Sequence, residues 1–158
     1  MRELPGQLNP DTLFERAGPL VARLKAEGPF PSGPALIARA REILETMSAP
    51  DQIAVINAHP RIGEKPETVR AQSAISFREQ GYDRDVTPPE VLLRLAELNA
   101  EYEQKFGFRF VVFVNRRPQE ALLPLLEARL RGTRDEERRT ALREILAIAQ
   151  DRCSPSSS

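Results

Sequence analysis

Apolar positions recur three and four residues apart along most of this chain, the spacing that lays them on one face of an α-helix. Leu20, Val21 and Leu24 form one such set, and Leu36, Ile37, Ala40, Ile43, Leu44 and Met47 the next. Ile53, Val55 and Ile56 lead into His59, and Val91, Leu95, Leu98, Tyr102 and Phe106 make a long stripe. Leu122, Leu126 and Leu130, then Leu142, Ile145, Leu146 and Ala149, complete the series. Asn9-Pro10-Asp11, Ser48 with Asp51, Thr87-Pro88-Pro89-Glu90 and Thr133 with Glu136 offer capping side chains followed by residues that suit a first helical turn. In the third of these, Thr87 is the expected cap. Pro66 can open a further helix and Gly81 close it, whereas GPFPSGP (Gly28 to Pro34) and GYDRDV (81–86) predict loops. Pro124 would kink the helix after Arg117-Pro118 unless its regular part starts later.

One segment breaks the rhythm. FRFVVFV, Phe108 to Val114, is β-branched and aromatic, yet no other stretch offers it a partner strand. Buried among helices, its N–H and C=O groups need bonding partners, and a polar ligand is one candidate. The expected fold is therefore all-α. It is a single compact multi-helix domain of about eight helices, residues 1–153, with this one short isolated extended segment and a disordered tail at 154–158.

Composition narrows the function. A chain of 158 residues, 41% of them hydrophobic, can bury about two-thirds of its unfolded surface without metal or disulfide support. Its 23 basic and 23 acidic residues cancel, so neither nucleic acid nor an anionic membrane is an expected partner. The arginines at 129, 131, 134, 138, 139 and 143 interleave with Glu127, Asp135, Glu136, Glu137 and Glu144, which predicts a solvated, salt-bridged surface. The lone Cys153 forms no internal disulfide and fits a reducing compartment. No stretch approaches the roughly 18 apolar residues of a membrane span, and the N-terminus lacks an apolar signal region, so the expected location is cytoplasmic. One histidine and one cysteine cannot assemble a usual zinc site, and there is no phosphate loop, nucleophile elbow or dinucleotide fingerprint.

What chemistry remains is concentrated between His59 and Gln80. His59 is the single histidine, and its imidazole exchanges protons near neutrality with little adjustment. Pro60 disfavours a helical conformation for it, placing it at a helix exit. Ser76, Glu79 and Gln80 stand at i, i+3 and i+4, so a hydroxyl, a carboxylate and an amide share a helix face. Each has a plainer reading: His59 as a cation capping a helix C-terminus, the others as a solvated face.

AHPRIG (58–63), SFREQ (76–80) and LNAEYEQKFGFRFVVFV (98–114), with ALREILAIAQDR near the C-terminus, resemble the 2-oxo-4-hydroxy-4-carboxy-5-ureidoimidazoline (OHCU) decarboxylases of urate breakdown. The resemblance implies an all-helical homodimeric lyase that uses no metal or organic cofactor and converts OHCU, a small ureide, to (S)-allantoin and CO₂. It matches His59 to the catalytic histidine, and Glu79, on the polar helix face, is the expected second catalytic residue. It assigns Pro60, Ser76, Phe77, Arg78, Glu79, Gln80, Val111, Val112, Phe113, Val114 and Asn115 to the substrate. Arg61-Ile62 stands where many members have Asp-Leu, and Arg109 where proline is commoner. These departures keep two alternatives open: another lyase or hydrolase reaction on a related ureide, or a non-catalytic helical module that binds a protein partner.

Overall fold

The computed structural model describes residues 9–14, 17–63, 68–69, 74–80 and 87–153, without the side chains of Thr12 and residues 74–76. The expectations at Pro66, Gly81, residues 81–86, the Ser76 side chain and the tail at 154–158 lie outside them. The helices are α1 (Pro10–Phe14), α2 (Gly18–Glu27), α3 (Gly33–Thr46), α4 (Ala49–Asn57), α5 (Ala74–Glu79), α6 (Pro89–Phe106), α7 (Leu122–Arg129) and α8 (Arg134–Cys153), with a 3₁₀ turn at Gln119–Ala121. No β-strand occurs among the described residues, and the fold is all-α. Nor is any helix among them long and apolar enough to cross a membrane. Two compact units form, one from the residues up to His59 with those from Leu142 onward, the other from Pro60–Ala141.

In the first unit α2 packs on α1, α3 and α4. Its side of the packing is the sequence stripe Leu20, Val21 and Leu24, all buried. Caps stand where local chemistry puts them: Asn9 Oδ1 accepts from Asp11 N at 3.0 Å and Ser48 Oγ from Asp51 N at 3.3 Å. The expected loop to Pro34 ends earlier, because Ser32 Oγ takes Ala35 N at 3.2 Å and Gly33-Pro34 form the first turn of α3. Proline is harmless there, since its missing N–H would have no intrahelical partner. Two buried side chains close helix ends from a distance. Gln52 Nε2 donates to Leu44 O at 2.7 Å, and Arg152 donates from Nη1 to Leu13 O at 3.0 Å.

In the second unit α6 buries Leu95, Leu98, Tyr102 and Phe106 and stops at Gly107, whose φ of 82° is the left-handed cap that glycine adopts without strain. Its start differs from expectation. Pro88, not Thr87, is the cap residue, with Val91 N and Leu92 N both on its carbonyl at 3.0 and 3.2 Å. The cause is Pro89, which holds the residue before it in extended backbone. Pro124 lies in the first turn of α7 because the 3₁₀ turn delays the regular helix, and no internal hydrogen bond is lost.

Phe108 to Val114, expected to be extended, carries no regular secondary structure and has no partner strand among the described residues; arginines bond its carbonyls. Arg129 Nη1 donates to Val111 O at 2.8 Å, and Arg117 Nε and Nη2 donate to Val114 O and Phe113 O at 2.9 and 2.5 Å. Arg134 Nε closes α6 on Phe106 O at 2.8 Å. The chain then reverses through Asn115 and Arg116, with φ of 51° and 63° and Arg117 N on Val114 O at 3.1 Å, the geometry of a type I′ turn. Arg129 and Glu137 are therefore not the solvated surface their charge pattern predicts. Their side chains are only 13% and 7% exposed, 2.7 Å apart, and Tyr102 OH donates to the same Glu137 oxygen at 2.7 Å. The Arg129 guanidinium lies 4.7 Å from the Phe110 ring centre. Burial pushes the Tyr102 hydroxyl far above the usual phenol range, so it remains a donor.

Candidate active site

His59 follows directly on α4. Its N–H bonds Ile56 O at 3.3 Å, the helix closes at Ala58, and Pro60 prevents continuation. The side chain is 4% exposed and Pro60 is buried too, so the imidazole is not a solvated capping cation.

After Pro60 the chain enters a tight loop whose shape is enforced from three sides. Gly63 has φ of 77°, and a Cβ there would lie 2.7 Å from Leu95 Cβ, so only glycine fits. Asn99 Nδ2 donates to Ile62 O at 2.6 Å. Gln80 clamps the loop with both ends of its amide: Oε1 accepts from Gly63 N at 3.2 Å and Nε2 donates to Arg61 O at 3.3 Å. Arg61 pairs in fork geometry with Glu103 of α6 at 2.7 and 3.0 Å. Its guanidinium thus pins the loop, which weakens the case for an altered substrate built on Arg61.

The short α5 ends at Glu79, and Gln80 lies one residue beyond it, so the expected shared face belongs to a helix terminus. Phe77 and Glu79 are half-buried, Arg78 is exposed and Gln80 is 4% exposed. Further along, Val111, Val112 and Val114 are buried, Phe113 is half-buried and Asn115 is exposed. Two residues that the sequence reading did not single out belong to the same construction. Asn99 was visible in principle, since it stands on the stripe between Leu95 and Tyr102. Gln119, whose Nε2 donates to Gln80 O at 3.0 Å, carried no sequence signal.

A cleft of about 290 Å³ is lined by Arg61, Ile62, Gly63, Ala96, Asn99, Ala100 and Glu103. Among the described residues it includes none from 77 to 80 or from 111 to 115, and the one carboxylate in that lining, Glu103, is paired with Arg61.

The fold defines an all-helical class of protein, with a buried histidine before a braced loop and a half-buried carboxylate at the end of a short helix. The OHCU decarboxylase family model matches residues 10–154. The chain is 28% identical over 138 residues to the 2-oxo-4-hydroxy-4-carboxy-5-ureidoimidazoline decarboxylase of Haloferax volcanii, covering 87% of this chain and 80% of that protein. It is 31% identical over 160 residues to the uric acid degradation bifunctional protein PucL of Bacillus subtilis, covering 96% of this chain and 31% of that one. A crystal structure of OHCU decarboxylase in the presence of (S)-allantoin superposes with a TM-score of 0.71 at 26% identity, over 87% of this chain and 89% of the other. This chain belongs to the OHCU decarboxylase family.

Proposed function

We propose that this protein decarboxylates OHCU to (S)-allantoin in urate degradation, as a carbon–carbon lyase. The observation that carries the reading is family membership over residues 10–154, a span that includes His59 and Glu79. The substrate holds a hydroxyl and a carboxylate on one ring carbon beside a C=N bond. When the bond to the carboxylate breaks, CO₂ leaves and the imine accepts the electron pair, so the substrate supplies its own electron sink and no cofactor is needed.

What the protein must supply is charge management and a proton. Glu79 accepts a hydrogen bond from the substrate hydroxyl or a ureido N–H, and His59 acts as general acid/base and delivers the proton. Delivery from one face sets the S configuration. Ser76 and Gln80 present donors and acceptors to the ureido amide, Pro60, Phe77 and Arg78 border it, and main-chain groups around Val112, between Val111 and Asn115, complete the grip. Gln80 does this from a fixed position, since its amide already clamps Arg61 O and Gly63 N. The working form is a cytoplasmic homodimer, in keeping with the family resemblance and with a single cysteine.

The test is freshly generated OHCU mixed with the purified protein. Substrate loss faster than its spontaneous decay, with CO₂ released and optically active allantoin formed, is the expected result. Decay at the spontaneous rate would remove the function.

A further inference from the structure

Gln119 opens the 3₁₀ turn and is 2% exposed, among the most buried polar side chains described. Its Nε2 donates to the main-chain oxygen of Gln80 at 3.0 Å and approaches Gln80 Oε1 at 3.4 Å. Its own Oε1 is buried and accepts no hydrogen bond among the described residues. The amide thus satisfies the buried Gln80 carbonyl while leaving one acceptor of its own unmatched. What the amide does achieve is a link in series. Gln119 holds Gln80, and Gln80 holds Arg61 O and Gly63 N of the loop that follows His59-Pro60 in the chain.

We infer that Gln119 is a positioning residue for the decarboxylation. It touches no reacting atom; it holds Gln80 so that the Gln80 amide fixes the backbone that leaves His59. The inference rests on the function proposed above. Displacements of about 1 Å at a reacting centre typically cost about 100-fold in rate, so the effect belongs in turnover rather than in substrate affinity.

Three variants, Gln119→Met, Gln80→Met and the double substitution, are assayed for kcat and KM on OHCU and for thermal unfolding. Gln119→Met is expected to lower kcat about 10- to 100-fold, with KM within about threefold and the melting temperature close to that of the unsubstituted protein. In the Gln80→Met background, where the link to the loop is already cut, the same change should lower kcat by less than about twofold. A variant with unchanged kcat, a loss that tracks the melting temperature, or an equal loss in both backgrounds would overturn the inference. Gln119→Glu provides an independent reading: its ionised carboxylate cannot donate to Gln80 O, whereas its neutral acid can. Its activity relative to the unsubstituted protein should recover toward acid pH, and a flat ratio counts against a donor role. An unsubstituted protein that leaves OHCU at its spontaneous rate overturns this inference together with the function; normal turnover with indifferent variants overturns this inference only.

Discussion

At the scale of single residues, Gly63 and Glu79 make opposite demands. Gly63 is structural: its φ of 77° and the 2.7 Å from a would-be Cβ to Leu95 Cβ mean that Gly63→Ala strains the backbone and displaces a buried leucine. The expected loss is about 1–3 kcal/mol, read as a lower denaturation midpoint, and an unchanged midpoint would show that the loop does not need this conformation. Glu79 is half-buried at the end of α5, and its proposed work is on the substrate. Glu79→Gln should lower turnover by about 10²–10⁴-fold while leaving thermal unfolding nearly unchanged. A change in melting temperature with turnover intact would make Glu79 a structural residue.

At the scale of elements, the segment from Phe108 to Val114 depends on arginines rather than on a sheet. Arg129 joins Val111 O, Glu137 and the Phe110 ring, so Arg129→Met strands a buried carboxylate. That should cost about 3–5 kcal/mol, whereas Lys25→Ala, which breaks an exposed pair with Asp11, should cost about 1 kcal/mol or less. Equal effects on chemical denaturation would refute the difference in burial. The caps at Asn9, Ser48 and Thr133 were legible because a cap is decided within four residues. The start of α6 was read one residue early because two prolines compete, and the second dictates the backbone of the first. Arg129 and Glu137 were misread because charge alternation was weighed above phase: Glu137 lies four residues before Ala141, on the stripe that continues to Ile145. Tyr102 and Phe110, the groups that accept this pair, are distant in sequence. No local pattern announces them.

At the scale of the whole molecule, the helical class was evident from periodicity, and the family from three motifs in order. The site was legible as residue types but not as a construction. Nothing local shows that Gln80 clamps Arg61 and Gly63, that Arg61 is held by Glu103, or that Gln119 stands behind Gln80, because each contact joins positions 17 to 42 residues apart. The central claim is that His59 delivers a proton to one face of a decarboxylated ring. The most direct measurement is the optical activity of allantoin formed by His59→Asn beside that formed by the unsubstituted protein. The account predicts turnover lowered about 10²–10⁴-fold in the variant and product that drifts toward the racemate. Rapid formation of (S)-allantoin by His59→Asn would contradict it.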